Sequence, residues 1–289
     1  MTVTGAPIPA WTPSALQQAR DAYRRRQTTR SVLIAAASTV ALVTIVTAVV
    51  TNAPGWPRVR ESFFNLDAAR ASLPAVASGL WLNVRVFFAA GVLMLAFGLL
   101  LAVLRTMRGP VFWPVRALAT GYVDLFRGIP LLLVIYLVGF GVPGLRLQAV
   151  PSNVTALGTV ALVLSYSAYV AEVFRAGIES VHPSQRAAAR SLGLTAGQAM
   201  RLVVLPQAVR RVVPPLLNDL ASLIKDSGLI SVLGVLDAIR QAQIEQYELA
   251  NFTPYVVAGV LFALLTIPMT RATDALARRY GYTAQGGHL

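Results

Sequence analysis

Long apolar stretches alternate with short polar ones along most of the chain, and this pattern predicts an all-α integral membrane protein. Each apolar stretch holds roughly 20 residues, the length of helix that crosses the hydrocarbon core of a bilayer. The first of them is longer than the apolar region of a signal peptide, so we expect it to remain uncleaved. Six transmembrane helices are predicted, at 31–50 and at about 79–104, 118–140, 153–174, 212–235 and 254–270.

The polar segments define the rest of the organisation. We expect a basic tail at 1–30, an external linker at 51–78 that is rich in proline, and a second tail at 271–289. The transmembrane domain at 79–270 contains one longer polar interruption, at 183–206.

Basic residues are distributed unevenly between the two sides of these spans. Of the 25, 17 fall in segments on the side of the amino terminus, five on the opposite side, and three inside spans. Positively charged loops stay in the cytoplasm, so both termini are predicted to be cytoplasmic. The formal charge of +13 therefore follows membrane topology. No basic stripe is interleaved with aromatic residues, so a nucleic-acid partner is not expected.

The interruption at 183–206 has the pattern of two short helices joined by a corner. Pro183 suits the first position of a helix, and Gly193 suits the left-handed residue that ends one. Thr195 and Gln198 have the spacing of a capping box, which predicts a second helix. Pro206 is expected to end that helix, because its ring cannot continue an interior turn.

The residues needed for common catalytic and metal sites are missing from the sequence. There is no cysteine, and only His182 and His288 could offer imidazole. The single lysine, Lys225, follows Ile224 rather than the glycine of a phosphate-binding loop. We therefore predict a protein that is not an enzyme, with no catalytic residues, no metal site and no cofactor of its own.

Several ordered motifs between about 79 and 280 resemble one protein family. YVDLFRGIPLL at 122–132 is similar to its YVELFRGTPLL segment, and AYVAEVFRAG at 168–177 to its AYLAEIFRAG segment. LPQA at 205–208, PPLLN at 214–218 and KDSGL at 225–229 continue the likeness in order. On these motifs the chain resembles the membrane permease subunit of ABC importers, in the polar amino acid uptake family.

This resemblance implies a six-helix permease of the type I importer class in the bacterial cytoplasmic membrane. The implied partners are ABC ATPase subunits that carry ATP and magnesium, an external amino-acid-binding protein, a second permease, either identical or similar, and the lipid bilayer. The polar interruption corresponds to the family's coupling segment, whose usual glutamate is replaced here by Ala187. The residues implied to meet the ATPase are Ser184, Gln185, Ala187, Ala188, Ala189, Arg190, Gly193 and Leu194.

Charged and amide residues within or beside the spans leave two interpretations open, a wet translocation path or structural pairing. Asp219 could pair with Arg85 or line the path, whereas Glu172 and Arg127 favour an ion pair. The candidates are Arg85, Glu172, Asn218, Asp219, Lys225 and Asp226. Two other functions also remain open: a secondary transporter that needs no ATP, and a membrane scaffold that transports nothing.

Overall fold

The computed structural model describes residues 14–107, 109–146 and 153–279, and every regular element in these ranges is helical. Short 3₁₀ turns occur at Pro110–Phe112 and Ser227–Leu233, and π turns at Leu137–Gly141 and Met200–Val204. The α-helices are α1 (Ala15–Thr51), α2 (Trp56–Phe63), α3 (Leu66–Thr106), α4 (Trp113–Gly128), α5 (Leu131–Tyr136), α6 (Val142–Gly144), α7 (Val154–Glu179), α8 (Pro183–Ser191), α9 (Ala196–Ala199), α10 (Leu205–Asp226), α11 (Ala238–Leu249) and α12 (Thr253–Arg279).

The chain divides after Arg60 into two compact units. The first contains α1, a single 37-residue helix that begins at the side-chain cap of Ser14. It includes the predicted span at 31–50 but starts well before it, within the predicted basic tail. Residues 1–13 of that tail lie outside the described residues.

The second unit is built around α3, a helix of 41 residues. Asn65 caps its start by accepting hydrogen bonds from the backbone N–H groups of Asp67 and Ala68, at 2.9 and 3.1 Å. The helix then continues through Pro74, which removes only one backbone donor. The second span was predicted to begin at about 79, because Pro74 was expected to belong to an irregular linker. The structure instead places most of 51–78 in α2 and α3.

The structure supports the predicted six spans in part. Among the described residues, four helices are long and apolar enough to cross a membrane, and a bent pair makes five if it counts as one span. The bend of 108° separates Pro110–Gly128 from Leu131–Gly144, where a single helix was predicted at about 118–140. Pro130 explains it, because the residue before a proline avoids helical angles and Ile129 is extended. The predicted span at 212–235 contains polar residues and ends in a 3₁₀ turn.

Close packing of α3 against α7 forms the centre of the second unit. Gly98 allows this approach: a Cβ atom there would lie 2.4 Å from Cγ1 of Val170. Small residues play this role in membrane helix pairs, because backbones can then come close enough for dispersion contacts. The core around this contact contains Met94, Leu162 and Ile230, all fully buried. The two helices thus form the frame that carries the polar groups described next.

Candidate functional site

The polar interruption forms the predicted helix, corner and second helix. α8 begins at Pro183, and it ends where Gly193 takes a left-handed conformation with φ of 83°. The N–H of Leu194 reaches the carbonyl of Ala189 at 3.2 Å, and the N–H of Gly193 reaches that of Arg190 at 3.0 Å. These two bonds define a Schellman cap, so the predicted glycine corner is confirmed.

The need for glycine at this corner comes from its backbone angle alone. A Cβ atom on Gly193 would meet nothing within 4 Å. Close approach of the two helices is therefore not the reason for glycine at this position. An L-residue would fit the space but would be strained by the positive φ.

The second helix begins with the predicted capping box. Thr195 Oγ1 accepts from the N–H of Gln198 at 3.3 Å, and Gln198 Oε1 accepts from the N–H of Thr195 at 2.8 Å. The helix does not end at Pro206, however, and this prediction is wrong. The π turn Met200–Val204 precedes the proline and changes the bonding register, so the backbone continues helically into α10.

α8 has one face against the protein and one face exposed. Ala189 is buried, and the half-buried Arg186 points inward, where its Nη2 donates to the carbonyl of Ile178 at 3.2 Å. Arg211 anchors the preceding turn by donating from Nη1 to the carbonyl of Ser180. Leu194 is half-buried at the corner. The exposed residues of the segment include Ser184, Gln185, Ala187, Ala188, Arg190 and Leu192.

Ala187 lies on this exposed face, so a glutamate at the same position would point away from the rest of the chain. The structure thus offers a small surface of mixed polarity, in which alanine and leucine lie beside polar side chains and Arg190 is the one basic residue. We call these six exposed residues of α8 and its C-terminal cap the hairpin surface. Arg186, one turn before Arg190, contributes to the attachment of α8 rather than to this surface.

Glu172 gathers three arginines near the end of α7. Its carboxylate accepts from Arg105 Nη1 at 2.9 Å, lies 3.8 Å from Arg127 Nη1, and also bonds Arg175. Arg175 in turn pairs with Glu179. The predicted contact between Glu172 and Arg127 is present, although the shorter bond is to Arg105. Such a cluster joins α3, α4 and α7 at one end of the bundle.

Acidic groups on α10 face α7 further along. The hydroxyl of Tyr166 donates to Asp226 Oδ2 at 2.7 Å. Asp219 is half-buried, and its Oδ2 has no hydrogen-bond partner among the described residues; the same holds for the buried Ser165 Oγ. A carboxylate oxygen without a donor in such a place can accept a hydrogen bond from a ligand.

The remaining predicted path residues are at the surface of the chain. Arg85, Asn218 and Lys225 are all exposed. No ion pair joins Arg85 to Asp219, or Lys225 to Asp226, in the part of the chain that the structure describes.

A fully buried polar cluster escaped the sequence analysis. Asn83 donates to Ser227 Oγ and Asp237 Oδ2, both at 3.2 Å, and accepts from the N–H of Ala238 at 3.0 Å. Asp237 also caps α11, and burial raises the pKa of its carboxyl to about 6. Gly79 lies directly against the Asp237 backbone. The sequence signal for this contact was weak: Gly79 and Asn83 lie four residues apart, on one face of a helix.

Metal binding has no support in the described residues, which contain no group of three or more His, Cys, Asp or Glu that could hold an ion. The expectation that ATP and magnesium belong to a partner subunit stays a prediction.

Comparison with known proteins identifies the family. Residues 94–282 match the family described as "Binding-protein-dependent transport system inner membrane component". The chain belongs to this family. It is a multi-pass permease subunit of an ABC importer, and the matched region includes α8, the glycine corner and α10.

Relatives support the same assignment for the permease. It is 41% identical over 194 residues to the "Probable glutamine ABC transporter permease protein GlnM" of Bacillus subtilis (strain 168), covering 66% of this chain and 88% of the relative. It is 36% identical over 222 residues to the "Glutamate/aspartate import permease protein GltK" of Escherichia coli O6:H1, covering 75% and 98%.

A solved structure described as an amino acid ABC transporter with histidines is also similar to the permease. The TM-score is 0.66 and the identity 34%, over 71% of this chain and 94% of that one. An inward-facing structure of the MetNI methionine transporter, at 21% identity and a TM-score of 0.54, shares the fold over 71% of this chain and 95% of its own.

Proposed function

We propose that this permease imports a polar or charged amino acid, that ATP hydrolysis in partner subunits drives the transport, and that access alternates between the two sides of the membrane. The observation that carries the proposal is the family match, which runs through the exposed hairpin surface. The names of GlnM and GltK support the substrate class, since they refer to glutamine and to glutamate or aspartate.

The hairpin surface is the docking site for an ABC ATPase in this proposal. A short helix with alanine and leucine exposed can enter a groove on a partner protein. Its attachment supports a mechanical role, because the contacts of Arg186 with Ile178 and of Arg211 with Ser180 join the segment to α7 and α10. A displacement of α8 by the ATPase is then passed to the bundle, and rigid-body movement of this kind underlies many switching transitions.

Asp219 and Asp226 are the groups we propose for substrate contact. The carboxylate of Asp226 accepts from Tyr166, and the free oxygen of Asp219 can accept a hydrogen bond from the α-amino group that every amino acid carries. Asn218, Lys225 and Arg85 are exposed, so they are available to a second permease or to the path between two permeases.

The proposal also includes six spans with both termini in the cytoplasm. Five are the four long apolar helices and the bent pair, and 212–235 is the sixth. The absence of cysteine makes this directly testable by single-cysteine labelling. A maleimide that cannot cross the membrane should label Glu248→Cys on intact spheroplasts, but should label Ser14→Cys and Ser184→Cys only after lysis. All three positions are exposed on the chain. The opposite pattern would contradict the orientation.

Reconstitution tests the transport mechanism. Proteoliposomes that contain the permease and its ATPase, with binding protein and radiolabelled glutamine or glutamate outside, should accumulate label only with ATP inside. A non-hydrolysable ATP analogue inside matched vesicles is the control. Uptake driven by an ion gradient without any ATPase would identify a secondary transporter. Absence of uptake from a correctly assembled complex, with glutamine, glutamate and arginine each tested, would favour a scaffold.

A further inference from the structure

A cavity of about 650 Å³ lies between the ends of α3 and α7 and the inward face of the α8–α9 hairpin. Its lining combines charged groups with apolar residues such as Met107, Ile178 and Val204. The charged residues in the lining are Arg105, Arg116, Arg175, Arg186, Arg190 and Glu179. We call this space the arginine cavity.

The positive charges in the arginine cavity exceed the negative ones. Arg105 and Arg175 are paired with carboxylates, of Glu172 and Glu179. The three other arginines, at 116, 186 and 190, have no carboxylate partner within 4 Å among the described residues. Five arginines and one glutamate line the cavity, which leaves a formal surplus of four positive charges, and Glu172 beside it also pairs with Arg127.

Two of these three arginines hold their positions through backbone carbonyls. Arg116 donates from Nη1 to Met107 at 3.2 Å, and Arg186 donates from Nη2 to Ile178. The buried Nε of Arg186 has no acceptor within the described part of the chain. A buried donor of this kind is unusual in a folded protein, because it has lost its water without gaining a partner. An anion within the cavity would accept hydrogen bonds from the guanidinium groups that line it and would balance the charge.

The depth of the cavity indicates which anion. Arg105 and Arg175 lie near the ends of two helices that are long and apolar enough to cross a membrane, the helices that end at Thr106 and Glu179. The cavity therefore opens where a span leaves the hydrocarbon and enters the headgroup layer. Phosphate is the common anion of that layer, and arginine binds it with paired, charge-assisted hydrogen bonds.

We propose that the arginine cavity binds a phosphate group, supplied by an anionic phospholipid at the membrane surface. The bound phosphate bridges α8, through Arg186 and Arg190, to the ends of α3 and α4, through Arg105 and Arg116. Lipid composition would then influence how firmly the hairpin surface is held. The proposal concerns this chain's own surface and is independent of which amino acid is transported.

Binding can be measured on the intact permease complex by native mass spectrometry and in nanodiscs. Phosphatidylglycerol should remain bound after detergent washing, in preference to phosphatidylcholine. Inorganic phosphate and pyrophosphate, titrated without anionic lipid, form the second arm. If the soluble anions bind and the permease shows no preference between the lipids, the cavity binds phosphate from a soluble ligand, and the lipid source is wrong. Retention of neither lipid nor soluble phosphate would overturn the proposal.

Variants of the arginines locate the binding. Each arginine near a membrane surface contributes about fivefold to the affinity for anionic lipid. We expect about that loss for R190Q, whose exposed side chain can change without disturbing the fold. The triple variant R116Q, R186Q and R190Q should lose more. A matched triple variant, R58Q, R60Q and R70Q, removes the same charge at exposed positions outside the cavity and should bind lipid normally.

One further outcome separates lipid from protein as the occupant. R190Q could weaken ATPase association equally in phosphatidylglycerol and phosphatidylcholine nanodiscs and leave lipid retention unchanged. That result would mean that an acidic group of the ATPase occupies the cavity, and the lipid proposal would be wrong. A loss of lipid retention by R190Q that R58Q, R60Q and R70Q do not share supports it.

Discussion

Substitutions at Gly193 distinguish a corner limited by backbone angle from one limited by space. The residue has φ of 83°, and a side chain there would meet nothing within 4 Å. Only the conformational cost of a left-handed residue should therefore count, about 1–2 kcal/mol for an ordinary L-residue. Asparagine adopts this conformation more readily, and β-branched valine least readily.

These costs predict a ranking. Gly193→Asn should behave almost as wild type, Gly193→Ala should lose about 1 kcal/mol, and Gly193→Val should lose more. Since 1.4 kcal/mol is a factor of ten in an equilibrium constant, the alanine variant should reduce the population of the correctly formed corner about fivefold relative to the alternatives. α8 itself should still form, because its start at His182 and Pro183 is untouched.

The assay follows from the proposed docking of an ATPase. Each variant is co-purified with the ATPase, and ATP hydrolysis is measured with and without the loaded binding protein. We expect normal membrane insertion in all three, and loss of stimulated hydrolysis in the order Asn, Ala, Val. Gly197→Val is the matched control, because that glycine also has open space around it but no positive φ.

Equal damage by Gly193→Asn and Gly193→Val would refute the conformational reasoning, since asparagine tolerates positive φ and valine does not. Wild-type coupling by Gly193→Val would refute the docking role of the corner.

Three more variants test the fold and the hairpin surface. Asn83→Leu should lower the apparent Tm by about 6–12 °C, because it removes the hydrogen bond to Asp237 Oδ2 and leaves the Ala238 N–H without a partner, at a combined cost of about 3 kcal/mol. Exposed Asn218→Ala should change the Tm little, and a shift below about 2 °C in both variants would contradict the cluster's role. Gly98→Ala should destabilise the α3–α7 contact by about 1–3 kcal/mol in thermal unfolding, whereas Gly259→Ala, with open space around it, should be neutral or stabilising. Ala187→Glu should leave folding unchanged, because the side chain at this position is exposed. Retained co-purification would show that the ATPase still accepts the carboxylate, whereas loss of the complex would show that the ATPase has adapted to alanine.

Local signals in the sequence were read correctly where the structure depends on neighbouring residues only. The Schellman corner at Gly193 and the capping box at Thr195 involve atoms within six residues of each other, so their sequence patterns were sufficient. Pro206 was misread for the opposite reason. A proline normally ends a helix, but a π turn before it shifts the hydrogen-bond register, and no sequence pattern specifies where such a turn will occur.

Distant contacts could not be obtained in this way. Asn83 and Asp237 are 154 positions apart, so their hydrogen bond depends on how α3 meets the start of α11. The partners of Glu172 show the same limit: Arg127 could be named from its position near the same end of the bundle, whereas the shorter bond to Arg105 required the structure. The bend within one predicted span was also missed, because periodicity alone does not show that Pro130 turns the helix by more than a right angle.

α7 connects the two parts of the candidate site. Its end holds Glu172 and the arginine cluster beside the hairpin, and Tyr166, almost two turns earlier, bonds Asp226 on α10. A helix is stiff over that distance of about 9 Å, so a displacement at the hairpin end moves Tyr166 as well. The close contact of Gly177 with Val212 ties α10 to the same end. If α7 transmits the motion, Tyr166→Phe should leave ATPase docking intact while changing the coupling of hydrolysis to uptake; unchanged coupling would separate Tyr166 from the transport path.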